Sequence, residues 1–294
     1  MSRFGAVLTA MVTPFGPDGG LDAGAAADLA RWLVEQGNDG LVLAGTTGES
    51  PTLTDDERLA LWRAVRAAVD VPLVAGSTTN DTRHSVALTK AAADIGMDAI
   101  LAVTPYYNRP SQAGLEAHFR AVAAASERPV LLYDIPVRTG RKIAADTMLR
   151  LARDVPTIVG VKDASADPAG TAALLAEAPE DFEVYSGDDS LTLPLLAVGA
   201  VGVISVAAHW TAGLQAEMVA AFAKGDVDRA REINARLVPS WAFETGDVAP
   251  NPVPTKVMLD VLGHPVGECR LPMGPAPEGL RDEARRVAAD LGLL

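Results

Sequence analysis

One lysine stands where lysines seldom do. Residues 157–167 read TIVGVKDASAD, so Lys162 and Asp163 close an apolar run, Ile158-Val159-Gly160-Val161. An ε-amine at the end of a buried strand has lost part of its water, which lysine rarely tolerates. In water, with a pKa of ~10.4, such an amine stays protonated and cannot attack a carbonyl. Desolvation disfavours the charged form and leaves a nucleophile. The free amine adds to a ketone to give a carbinolamine and then an imine. Once protonated, the imine withdraws electrons from the adjacent carbon, which loses a proton and becomes an enamine. Each step moves a proton, so a hydroxyl relay must stand beside the lysine. Tyr133, one expected strand earlier, suits general acid–base work. The hydroxyls of Thr46 and Thr47 can complete the chain and hold a carboxylate. These residue types point to a lysine-imine aldolase or synthase acting on a 2-oxo acid.

The elements that must position them follow from the hydropathy pattern. Eight short apolar runs read as strands: 7–12, 40–44, 71–75, 99–103, 129–133, 157–161, 182–185 and 202–206. Helix-like stretches lie between them at 23–36, 55–68, 82–95, 112–126, 145–153, 168–178 and 191–198. Regular alternation means parallel strands joined by crossovers. Eight such units close most naturally into an α/β architecture of the (β/α)8 TIM-barrel type. A doubly wound open sheet is the competing arrangement, but it requires a Gly-rich fingerprint after an early strand, and none is present. After Val206 only helices are expected, at 214–224, 228–243, 253–262 and 278–291, punctuated by Gly225 and the VAPNPVP segment. The expected organisation is a barrel over 1–225 and a small C-terminal helical extension over 226–294.

In such a barrel chemistry sits at the C-terminal strand ends. Those ends read Thr13, GTTGES (45–50), GSTTND (76–81), TPYYNRP (104–110), YDIPVRTG (133–140), KDAS (162–165), SGDD (186–189) and Ser205. All four tyrosines, Tyr106, Tyr107, Tyr133 and Tyr185, fall at or near these ends and are expected to converge on one mouth. Plainer readings stand beside the chemical ones. GTTGES can be a loop entering a helix, with Thr54 to Glu57 as a capping box. The tyrosine pair can be a packed strand end, Arg138 a surface arginine in a turn, and Asp188 and Asp189 helix caps. GTTGES has no lysine and so is no P-loop. His84, His118, His209 and His264 show no metal-ligand spacing, and no serine sits in a nucleophile elbow.

The totals set the class. The chain has 294 residues, 49% of them hydrophobic, and a formal net charge of −13. That excess of acid argues against nucleic acid and anionic membranes as partners. A single cysteine, Cys269, excludes an intrachain disulfide and fits a reducing compartment. The first twenty residues are too interrupted for a secretory signal, and no apolar run is long enough to span a bilayer. A soluble cytoplasmic protein is expected.

Taken together, GTTGES, TPYYNRPSQ, YDIPVRTG, GVKDAS, SGDD and GVISV, with RLPMGP near the C-terminus, resemble in order and spacing the pyruvate-dependent aldolase superfamily. Within it the chain is most similar to the dihydrodipicolinate synthase family, over essentially its whole length. The resemblance implies condensation of pyruvate with L-aspartate 4-semialdehyde on the route to lysine and diaminopimelate, with no cofactor or metal. It implies that Lys162 forms the imine, that Tyr133 donates and accepts protons, and that Thr46 and Tyr107 complete a relay. Tyr107 would come from a neighbouring subunit of a homotetramer built as a dimer of dimers. Thr47, Ile204 and Gly187 match substrate-binding positions, and Arg138 the arginine that receives the aldehyde substrate's carboxylate. Sialic-acid and deoxy-sugar-acid lyases share the lysine and tyrosine motifs but usually lack that arginine, which suits a planar carboxylate better than a polyol.

Ser50, Asn80 and Tyr106 match an allosteric lysine pocket of regulated members, whereas Asp55, Arg58 and His84 depart from it. Where His84 stands, the regulated pattern has a glutamate for the effector's amine, so weak or absent inhibition by lysine is expected. Two rival readings remain: a retro-aldolase of the same superfamily, and a barrel that binds a metabolite without forming an adduct.

Overall fold

A computed structural model of the chain describes residues 2–246 and 248–294. Its strands are β1 (Val7–Ala10), β2 (Gly40–Leu43), β3 (Leu73–Gly76), β4 (Ala99–Val103), β5 (Val130–Asp134), β6 (Ile158–Asp163), β7 (Glu183–Ser186) and β8 (Gly202–Ser205). They close into one barrel in chain order. The expected α/β barrel is therefore observed, with strand limits within two residues of the hydropathy reading. The helices are α1 (Ala23–Glu35), α2 (Asp55–Ala68), α3 (Thr82–Ile95), α4 (Gln112–Ala123), α5 (Pro136–Thr139), α6 (Ala145–Asp154), α7 (Pro168–Glu177) and α8 (Thr192–Ala197). They continue with α9 (Ala208–Ala223), α10 (Val227–Glu244), α11 (Val253–Val261) and α12 (Leu280–Leu291).

Short polar side chains start the helices where the strand-end loops stop. Asp22, Asp81, Ser111 and Asp167 each accept a first-turn amide, and Thr54 and Glu57 form a reciprocal capping box at the head of α2. Two helices depart from expectation. α9 begins at Ala208, six residues before its expected start at Leu214. Its first turns are buried nearly all round, so no polar face marks them, and the Ser205 hydroxyl accepts the Ala208 amide at 2.7 Å to set the start. α5 is a single turn inside YDIPVRTG, opened by Pro136 and closed by left-handed Gly140 (φ 71°). Four residues are too few to leave a periodic signal.

The chain forms two compact units, one of Pro72–Ile204 with the residues before Val7, the other of Val7–Val71 with Ser205–Leu294. In the first, α3, α4, α6, α7 and α8 pack in succession around β3 to β8. In the second, α9 lies on β1, α1 packs on α2, α10 and α11 pack on α9, and α10, α11 and α12 pack on one another.

One irregularity decides which side chains face inward. β5 and β6 pair Val130 with Ile158, then Leu131 with Gly160, so Val159 is skipped. Because strand side chains alternate with period two, skipping one residue exchanges the faces of everything that follows. Tyr133 thereby pairs with Lys162, and Asp134 with Asp163. The skip lies beside Gly160, where a Cβ would stand 2.2 Å from the Glu183 carbonyl oxygen of β7. Only glycine lets β7 approach there.

Gly160→Ala is expected to lower stability by ~2 kcal/mol or more through this backbone clash, read as a drop in Tm. Gly213→Ala, inside α9 with its nearest contact at 3.9 Å, is expected to raise stability by ~0.5–1 kcal/mol. A Gly160→Ala chain melting with the parent would remove the steric account of the skip.

Candidate active site

Lys162 lies on β6 between Tyr133 of β5 and Tyr185 of β7, its register partners. It is 4% exposed, and its Nζ stands 4.6 Å from the centre of the Tyr133 ring. Among the described residues no carboxylate comes within ion-pair reach of that amine. Gly187 follows β7, and a Cβ there would press to 3.0 Å on Cγ of Lys162, so glycine leaves room for the lysine stem. Ile204, on β8, is fully buried. Tyr185 turns away from this group. Its hydroxyl donates to Glu183 at 3.2 Å and accepts the Phe4 amide at 3.3 Å. These partners are the first residue of β7 and a residue before β1, so Tyr185 belongs to the barrel floor and the expected convergence of four tyrosines is corrected to exclude it. Burial pushes its phenol above the ordinary range.

Arg138 is on α5, with its side chain exposed. The loop that carries it is tied down on both sides. Asp134 accepts the Ile143 amide at 3.1 Å, the Thr139 hydroxyl donates to the Ile135 and Arg141 carbonyls, and Arg109 Nε donates to the Gly140 carbonyl at 3.0 Å. Tyr107 does not join Lys162. It is 90% exposed and held on left-handed backbone (φ 74°), as is Arg109 (φ 45°). A non-glycine residue in that region costs ~1–2 kcal/mol, and such strain gathers at functional sites.

The second unit holds the two threonines. The loop after β2 is entered and left through left-handed residues, Ala44 (φ 54°) and Glu49 (φ 53°). Between them a Cβ on Gly48 would meet the backbone of Ala44 and Met11 at 3.1 Å, and Thr13 Oγ1 donates to the Gly48 carbonyl at 2.6 Å. Thr46 is partly exposed and Thr47 is 2% exposed. Asn251 Nδ2 donates to Thr47 Oγ1 at 3.0 Å. The Glu49 carboxylate is buried against Lys256 Nζ at 2.8 Å and accepts the Arg270 amide at 2.9 Å. Burial lowers the Lys256 pKa, while Glu49 opposes that shift. Neither Asn251 nor the Glu49–Lys256 pair is anticipated from the sequence. Lys256 carried a usable signal, a lysine inside the apolar run VPTKVML, the same signal that marks Lys162.

The plainer readings hold elsewhere. Asp188 caps Ser190, and the Thr54–Glu57 box is formed. His209 Nε2 accepts the Val12 amide at 3.1 Å, and burial pushes its pKa down to about 4. Among the described residues no cluster of His, Cys, Asp and Glu could hold a metal, and no helix is long and apolar enough to cross a membrane. Behind the Lys162–Tyr133 pair, Asp134 and Asp163 lie side by side on the opposite strand faces. Asp163 accepts the Ser165 amide and the Thr171 hydroxyl. Burial, with Asp163 adding to it, pushes the Asp134 carboxyl up to about 7.

Comparison with known proteins places this geometry among relatives. The dihydrodipicolinate synthetase family profile matches residues 3–291. The chain is 50% identical to the 4-hydroxy-tetrahydrodipicolinate synthase of Moorella thermoacetica, over 98% of each chain. Among solved structures it superposes on dihydrodipicolinate synthase DapA-2 of Bacillus anthracis with a TM-score of 0.94, 42% identity and coverage of 98% and 99%. The enzyme of Cyanidioschyzon merolae, crystallised with lysine bound, gives a TM-score of 0.96 at 41% identity, with both chains fully covered.

Asp134 has a stability consequence. Its folded pKa lies above the ordinary carboxylate value, so the folded state binds its proton more tightly than the unfolded chain. That contribution is complete below about pH 4 and is lost as pH rises to about 7. Asp134→Asn keeps an acceptor for Ile143 and lacks this loss. It is expected to be more stable than the parent by ~1–3 kcal/mol at pH 8, the gap closing towards pH 4. Denaturation curves at the two pH values check it; a gap that does not change with pH would refute it.

Proposed function

The chain belongs to the dihydrodipicolinate synthetase family, and from that premise we propose that it is a 4-hydroxy-tetrahydrodipicolinate synthase working through an imine on Lys162. It condenses pyruvate with L-aspartate 4-semialdehyde, in the biosynthesis of diaminopimelate and lysine. The observation that carries the mechanism is the pairing of a buried amine with a tyrosine ring on the adjacent strand.

The Lys162 nitrogen adds to the C2 carbonyl of pyruvate, and loss of water gives the imine. Tyr133 is the group placed to deliver and remove protons at that carbon and at the carbinolamine oxygen. Loss of a C3 proton forms the enamine, whose C3 attacks the aldehyde carbon of the second substrate. The amine of that substrate then attacks C2, closes the ring and displaces Lys162, so one water leaves overall and the lysine is regenerated. The imine itself is the electron sink. On this account the reaction is that of a lyase in the carbon–oxygen class.

Thr46, in the loop after β2, extends the relay, and Thr47 with Ile204 holds the pyruvate carboxylate. Arg138 offers its guanidinium to the carboxylate of the aldehyde, for which a planar bidentate donor is well matched. Gly187 is read as shaping the pocket around the lysine stem. Tyr107 completes the relay of a neighbouring subunit; its exposure and left-handed backbone support that reading, and with it a tetramer made of paired dimers. A biosynthetic role of this kind fits the cytoplasm. The departures at Asp55, Arg58 and His84 support weak or absent inhibition by lysine.

Borohydride with pyruvate is expected to add pyruvate, less water and plus two hydrogens, to the Lys162 peptide. Lys162→Arg should keep the melting temperature and lose both adduct and turnover. An adduct on another lysine would overturn the assignment. Arg138→Ala is expected to leave adduct formation intact and to raise KM for aspartate semialdehyde about tenfold or more, the scale of one lost charge-assisted pair. An unchanged KM would remove Arg138 from the second substrate's site.

A further inference from the structure

The second unit contains a hydrogen-bonded chain that the reaction scheme leaves unused. Thr255 Oγ1 donates to Asn251 Oδ1 at 3.2 Å, and Asn251 Nδ2 donates to Thr47 Oγ1 at 3.0 Å. All three residues are buried, Asn251 at 8% exposure and Thr255 at none. Thr255 sits in the first turn of α11, three residues beyond Pro252, which precedes that helix. We propose that Asn251 is a positioning residue for the pyruvate carboxylate, acting through the Thr47 hydroxyl. The inference rests on the reading of Thr47 given above and adds the part of the chain that makes Thr47 competent.

A hydroxyl has one proton and two lone pairs, and a primary amide has one acceptor end and one donor end. Thr255 occupies the acceptor end of Asn251, so the donor end faces Thr47. A donor in that place takes a lone pair of Thr47 Oγ1 and repels its proton. The Thr47 proton must then point elsewhere, and Asn251 is the hydroxyl's one partner among the described residues. A threonine with its proton directed out is a donor for a carboxylate, whereas a freely rotating one spends part of its time presenting lone pairs to that anion. The same helix also fixes the loop backbone. Lys256, next to Thr255, holds the Glu49 carboxylate two residues beyond Thr47. The backbone is thus anchored by Lys256 and the hydroxyl rotor by Asn251.

The test is a double-mutant cycle on the full-length enzyme, reading KM for pyruvate, KM for aspartate semialdehyde and kcat. Thr47→Val should raise KM for pyruvate about tenfold, the scale of one hydrogen bond to a charged group. Asn251→Ala and Asn251→Leu, which keeps the branching but not the polar atoms, should each raise it about three- to tenfold, with KM for the aldehyde unchanged within about twofold. In the Thr47→Val background either Asn251 change should add less than about twofold, because the hydroxyl it orients is gone. Melting temperatures choose the Asn251 variant used. Effects that multiply in the double variant would overturn the proposal, since Asn251 would then act by another route. So would a rise in KM for pyruvate with Thr47→Val and none with either Asn251 variant. No change with Thr47→Val itself would instead overturn the reading of Thr47, and the two failures are distinguishable.

Discussion

The site depends on one offset in the ladder between β5 and β6. Were the two strands paired without the skip at Val159, Tyr133 would oppose Val161 and Lys162 would oppose Asp134. A buried amine beside a buried carboxylate is an ion pair, which would hold the lysine as a cation. The skip instead sorts the two kinds of side chain. Lysine and tyrosine share one face, and the two aspartates share the other, where backbone amides and Thr171 satisfy them. Gly160 allows this through its contact with β7, so a residue with no side chain helps to decide where Lys162 points.

The barrel was largely legible in the sequence, because eight apolar runs alternating with amphipathic helices leave few other closures. Lys162 was legible for a related reason: a single charge at the end of an otherwise apolar strand needs an explanation. The skip was not legible, since hydropathy records which residues are buried and not which partner each one meets. The start of α9 was hidden by burial on every side. Tyr185 was misjudged because a strand-end position does not fix the direction of a long side chain, and its hydroxyl runs back to Phe4 and Glu183.

The C-terminal helices were legible as helices and opaque as partners of the loop after β2. Asn251 lies in a segment whose pattern reports only packing, and Lys256, though marked by its apolar surroundings, names no partner. Their partners, Thr47 and Glu49, lie in a loop whose pattern suggested a cap or a turn. Neither sequence stretch points to the other, and only the folded chain shows that α11 and the residue just ahead of it, Asn251, are bonded to the loop after β2 at two places.

That bonding has a consequence for how the protein comes into being. Thr47 and Asn251 are separated by 204 positions, and a ribosome delivers them in that order. By the time the strand bearing Lys162 has left the exit tunnel, the segment that orders the threonine loop has not yet been made. A chain released early would therefore carry the Lys162 amine and its neighbouring tyrosine before the Thr47 hydroxyl had its partner. The Thr47 hydroxyl thus acquires its partner only late in synthesis, after every strand of the barrel has been made.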